Sequence, residues 1–112
     1  MPKRTRPYRD AKMERLRDPR ESASYLNAAL EESEEDFLIA LRDVAEANRV
    51  SEVASSAGVS RESVYRMLSE AGNPTYGSLT GILKAVGLRL AITTAKPEAD
   101  STFAEPVWQA KS

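Results

Sequence analysis

Apolar residues recur at helical spacing in five blocks along the chain, and residues able to cap a helix precede most of them. Asp18, Pro19 and Glu21 form a capping-box-like start, and Tyr25, Leu26, Ala29 and Leu30 then give one apolar stripe, predicting a helix from about Pro19 to Leu30. Ser33 and Asp36 repeat the signal before Phe37, Leu38, Leu41, Val44 and Ala45, predicting a second helix to about Ala47. Its acids Glu34, Glu35 and Asp36 suit the positive end of the helix dipole. Two short blocks follow on either side of Gly58. After the turn Gly72, Asn73, Pro74, Thr75 can cap a last helix carrying Leu79, Ile82, Leu83 and Val86, with Gly87 placed to stop it. From Leu88 the period changes to two: Leu88, Leu90 and Ile92 alternate with Arg89, Ala91 and Thr93, which is the pattern of a half-buried strand.

The segment Val50 to Leu68 carries the functional signal. Val50, Val53, Ala54 and Ala57 share one face of a first short helix, and Val64, Met67 and Leu68 share one face of a second. Gly58 can supply the positive φ of a tight turn, Val59 can plug the core and Ser60 can cap the second helix. This is the helix-turn-helix pattern, in which the second helix enters the major groove of DNA. An αα-hairpin joined at a glycine would share the apolar spacing. The short turn, the hydrogen-bonding outer face and the helix that follows favour the DNA-binding reading.

The candidate DNA-contacting residues on the second helix are Arg61, Glu62, Ser63, Tyr65, Arg66 and Ser69, with Ser60 at its cap. Arginines can donate to guanine or phosphate, a glutamate can accept from cytosine, and hydroxyls can bond bases or backbone. Ser51, opening the first helix, could set a hydroxyl and a backbone amide against a phosphate.

Composition narrows the classes further. At 112 residues there is room for one domain and one core, and there is neither cysteine nor histidine. The commonest general base, metal ligands and thiol nucleophile are thereby missing, so the sequence argues against an enzyme, and no metal or cofactor is expected. No apolar run approaches the roughly 20 residues needed to cross a bilayer, which predicts a cytoplasmic protein without membrane contact. The formal net charge of −1 hides a segregation: residues 1–20 hold eight Lys or Arg against three acids, and residues 21–49 hold two against eight.

The chain resembles the HigA-like addiction module antidotes, antitoxins with a phage-repressor type (XRE/Cro-CI) helix-turn-helix. The matching segments are Leu16–Pro19, Tyr25–Leu30, Ala40–Val44, the helix-turn-helix, Gly72–Thr75 and Ala85–Leu90. The resemblance implies an antitoxin that binds operator DNA, represses its own operon and neutralises a HigB-like toxin of the RelE/ParE superfamily. The first motif helix opens on Val50, where the wider repressor pattern often has glutamine, and the resemblance extends only from about Leu16 to Ile92. The alternative is a stand-alone helix-turn-helix regulator without a toxin.

The expected fold is therefore all-α: a five-helix, phage-repressor-like helix-turn-helix domain over residues 16–95, ending in a short dimerising strand. A basic flexible arm (1–15) precedes it and a mobile tail (96–112) follows. A lone strand leaves an unpaired edge, so Leu88, Arg89, Leu90, Ala91 and Ile92 are expected to pair with the same strand of a second copy, giving a homodimer. Packing as an extended tail on its own core is the other outcome. Three further features stay open: the acidic run Glu31, Glu32, Glu34, Glu35, Asp36 between toxin contact and a solvated helix junction, the basic arm between phosphate or minor-groove contact and disorder with no role, and the apolar points Phe103, Val107 and Trp108 of the tail between partner docking and packing back on the domain.

Overall fold

The computed structural model describes residues 2–95, with side chains from Tyr8 onward. Six helices run in order: α1 (Pro2–Arg15), α2 (Pro19–Glu32), α3 (Glu34–Ala47), α4 (Val50–Ala57), α5 (Arg61–Met67) and α6 (Tyr76–Ala85). The caps explain most of the boundaries. Asp18 accepts the Arg20 amide at 2.9 Å, Ser33 the Asp36 amide at 2.9 Å, Ser60 the Ser63 amide at 3.0 Å and Thr75 the Ser78 amide at 3.1 Å. Each satisfies an amide that the first helical turn leaves without a partner, stabilising by about 1 kcal/mol.

Helix α3 is the centre of the packing. Phe37, Leu38, Ala40, Leu41, Val44, Ala45 and Ala47 are all buried, and the helix packs against α1, α2, α4 and α5. Leu26 of α2, Val53 and Ala54 of α4, Val64 of α5, Leu68 beyond it, and Ile82 and Leu83 of α6 complete one continuous core. Ala54 and Ala57 let α4 lie close to its neighbours: a Cβ at Gly81 of α6 would sit 3.4 Å from the Ala57 Cβ.

Two glycines flanking α5 are required by the backbone. Gly58, ending α4 with φ +76°, adopts the left-handed conformation that a Cβ makes costly. At Gly72 a Cβ would fall inside the Met67 carbonyl, so the chain can close the turn after α5 only with glycine there.

The structure corrects the expected fold at both ends. The helix count among the described residues is six, because the segment expected as a flexible arm forms α1. Counting apolar groups overlooked how few are needed: Leu16 is buried in the core, Met13 packs against it, and ion pairs from Arg9 and Lys12 add to the hold. Among the described residues there is also no strand. Leu88 tucks against the core, but Leu90 is half exposed and Ile92 is 98% exposed. A ladder needs a second strand, and the described residues of one chain supply none. The expected mobile tail, with Phe103, Val107 and Trp108, lies outside the described residues.

Leu41 is fully buried in the most enclosed part of the core. Leu41→Ala is expected to cost about 3 kcal/mol through lost transfer energy and a residual cavity. Urea unfolding followed by circular dichroism measures it, and a cost under about 1 kcal/mol would mean that α3 is not the packing centre.

Candidate nucleic-acid interface

Helix α5 stands with Val64 fully buried and its other face outward. Arg61, Glu62 and Arg66 are exposed, as are Ser51 on α4 and the cap Ser60, while Ser63, Tyr65 and Ser69 are half-buried. The hydroxyls are largely committed within the chain. Ser60 Oγ donates to Ser63 Oγ at 2.9 Å, Arg66 Nη2 donates to Ser63 Oγ at 3.1 Å, and Ser69 Oγ donates to the Arg66 carbonyl at 3.0 Å. These bonds fix the helix ends and the Arg66 rotamer.

Tyr65 is turned back on the core side. Its hydroxyl donates to Glu46 Oε2 of α3 at 3.2 Å, and the Arg61 guanidinium lies over its ring at 5.3 Å. The phenol pKa is raised above the ordinary value, first by burial and then by the neighbouring Glu46 charge. Tyr65 thus serves as a platform beneath Arg61 and ties α5 to α3.

An open cleft where α3, α4 and α5 meet is lined by Glu46, Arg49, Ser51, Arg61 and Tyr65 among others. It gathers Ser51, Arg61 and Tyr65 of the sequence-derived set. Ser60, Glu62, Ser63, Arg66 and Ser69 lie along α5 outside it. Arg49 begins α4 with φ +69°, the one non-glycine residue at positive φ among the described residues. That conformation costs on the order of 1–2 kcal/mol. Its carbonyl accepts the Glu52 and Val53 amides at 3.0 Å, so the strained residue starts the helix by its backbone.

Behind the interface, α3 offers two carboxylates one turn apart. Asp43 Oδ2 accepts from the Tyr25 hydroxyl at 2.6 Å and from Lys12 Nζ at 3.3 Å, and the ammonium also lies 5.0 Å from the Tyr25 ring centre. Glu46 holds Arg9 Nη2 at 3.4 Å through its other oxygen. Arg9, Lys12, Asp43, Glu46 and Arg49 were absent from the sequence-derived set. The i, i+3 spacing of Asp43 and Glu46 was the only signal, and it did not name their partners.

The sequence comparisons show the family. A family model described as a probable addiction module antidote protein matches residues 9–94. The chain belongs to that family. A Haemophilus influenzae protein, called only an uncharacterized protein, is 36% identical over 84 residues, covering 74% of this chain and 87% of that one. No solved structure matches. As an antidote the protein acts on a toxin partner. The match runs from the Arg9 anchor of α1 through α6 and into the extended segment after it. No helix of the antidote among the described residues is long and apolar enough to cross a membrane.

The tether at Asp43 has a pH signature. The Lys12 pKa is raised, mainly by the Tyr25 hydroxyl and also, against burial, by the Asp43 charge. Burial and then the bond to Asp43 raise the Tyr25 pKa. Both groups hold their protons more tightly folded than unfolded, so this stability is complete below their ordinary values of about 10 and drains as pH rises through the raised ones. The urea midpoint of the antidote is expected to stay level from about pH 7 to 9 and to fall above about pH 10. Tyr25→Phe should cost about 1–2 kcal/mol at neutral pH, the loss of a hydrogen bond to a charged acceptor, and make the alkaline fall shallower. An alkaline profile identical to that of the unmodified protein would exclude Tyr25 from the linkage.

Proposed function

We propose that this antidote is a DNA-binding antitoxin that represses its own operon as a homodimer and neutralises a toxin of the RelE/ParE superfamily. The observation that carries the DNA half is the outer face of α5, where Arg61, Glu62 and Arg66 stand exposed on a helix whose opposite side is fully buried. A short helix capped by Ser60, preceded by α4 and a Gly58 turn, is the arrangement that presents side chains to base edges in the major groove. Arg61, stacked on Tyr65, and Arg66, held by Ser63, are the two donors for guanine or phosphate. Glu62 is the acceptor for cytosine. Ser51 at the start of α4 contributes a phosphate contact, and Ser60, Ser63 and Ser69 support the helix and its backbone contacts. The toxin class rests on the resemblance to HigA-like antidotes.

The dimer reading is supported by the exposed, alternating segment Leu88 to Ile92, whose Leu90 and Ile92 side chains find little cover within one chain. Antiparallel pairing with a second copy would cover them and present two α5 helices to half-sites about 34 Å apart. Light scattering at micromolar concentration is expected to give a dimer and Ile92→Asp a monomer. A monomeric unmodified protein would overturn this part of the reading.

Binding to the upstream region of its own gene tests the DNA half. Replacing Arg61 and Arg66 together by alanine is expected to weaken binding by about 2–4 kcal/mol, with discrimination against unrelated duplex largely lost. Unchanged affinity in a gel-shift titration would remove α5 from the interface.

A further inference from the structure

The helix-turn-helix segment is poor in positive charge. Residues 50–70 hold only Arg61 and Arg66 against Glu52, Glu62 and Glu70. Duplex DNA carries one negative charge per about 1.7 Å of its axis, and the cations that neutralise phosphates supply much of the affinity. If α5 reads bases, the charge must come from elsewhere in the chain.

Helix α1 holds that charge. It carries Lys3, Arg4, Arg6, Arg9, Lys12 and Arg15 against Asp10 and Glu14. Arg9 and Lys12 are committed to the α3 carboxylates at 3.4 Å and 3.3 Å, and so dock the helix rather than serve a ligand. The docking also links α1 to α5 through α3. Arg9 and Tyr65 hold the two oxygens of one carboxylate, Glu46 Oε1 and Oε2, so the basic helix and the α5 platform meet at one residue.

We propose that α1 is the phosphate-binding element of this antidote, laid by the Arg9–Glu46–Tyr65 junction along the DNA backbone beside the site that α5 reads. This rests on the DNA-binding reading above. Lys3, Arg4 and Arg6 precede residue 9, where the family match begins. Base reading and charge neutralisation are thereby divided between two helices.

The test compares the unmodified full chain, a Lys3→Gln/Arg4→Gln/Arg6→Gln variant and a charge-keeping Lys3→Arg/Arg4→Lys/Arg6→Lys variant. Fluorescence anisotropy follows binding to the gene's own upstream duplex and to a scrambled duplex of equal length across a salt series. The neutralised variant is expected to bind both duplexes roughly tenfold more weakly, with the slope of log affinity against log salt shallower by about 0.9 for each phosphate it no longer neutralises. Its preference for the upstream duplex and its thermal midpoint should stay unchanged. The charge-keeping variant should match the unmodified chain.

An unchanged slope and affinity in the neutralised variant would overturn the proposal, as would a loss confined to the upstream duplex or one shared by the charge-keeping variant. So would a loss of toxin binding with DNA affinity intact, since the surface would then belong to the toxin. If the Arg61/Arg66 replacement abolishes discrimination while the α1 variant keeps its slope, only this inference fails. If the unmodified chain binds neither duplex, the DNA-binding reading fails first.

Discussion

The fold depends on burying the apolar face of α3. Seven of its fourteen residues are buried, and four of the other five helices pack against it. A helix so enclosed cannot shift without disturbing every neighbour, because protein interiors pack as densely as organic crystals. Its C-terminal end is also fixed by polar contacts. The Leu16 carbonyl accepts from both Ser22 Oγ at 2.7 Å and Asn48 Nδ2 at 3.2 Å, while Arg17 Nε donates to the Ala47 carbonyl at 3.1 Å. The α1–α2 link is thereby stitched to the point where the chain turns into α4.

The edge of α3 that is not apolar does a second job. Asp43 and Glu46 each take a tyrosine hydroxyl from one neighbour and a cation from α1. The two tethers differ in strength because they differ in exposure. The Lys12–Asp43 side chains are 25% and 17% exposed, and the Arg9–Glu46 side chains 57% and 26%. Exposed pairs contribute about 0–1 kcal/mol, so the less exposed pair with its short phenol bond is the firmer anchor of α1. The Glu46 junction is looser and more accessible.

Helices α2, α3, α5 and α6 were legible because their starts are written in local chemistry, and α4 through its apolar spacing and the glycine that ends it. Asp18, Ser33, Ser60 and Thr75 cap where their spacing to the apolar stripe says they should, and Gly58 and Gly87 sit at positive φ at helix ends. Helix α1 was not legible, since it docks through only Met13 and the adjoining Leu16, too few apolar positions to make a stripe, and the carboxylates that add to its hold lie some thirty residues away on α3. The role of Tyr65 was hidden for the same reason. Its position on the outer arc of α5 suggested a DNA contact, and only the tertiary placement of Glu46 turns its hydroxyl inward. The alternation from Leu88 to Ile92 was read correctly as a pattern, but a strand is a property of a pair, and the described residues of one chain do not contain the pair.

A nearly neutral chain can present a strongly basic surface only if its acids are kept at a distance, and α3 sets that distance. The run Glu34, Glu35, Asp36 opens the helix, whereas the carboxylates that receive α1 lie near its end. Seven residues of helix separate Asp36 from Asp43, about 10 Å at 1.5 Å per residue. At physiological ionic strength the screening length is about 8 Å, so the acidic end of α3 cancels little of the field around α1. The α3 acids that α1 meets, Asp43 and Glu46, are themselves consumed in holding Lys12 and Arg9. The small net charge therefore hides an uneven distribution along the chain, eight Lys or Arg against three acids in residues 1–20 and two against eight in residues 21–49.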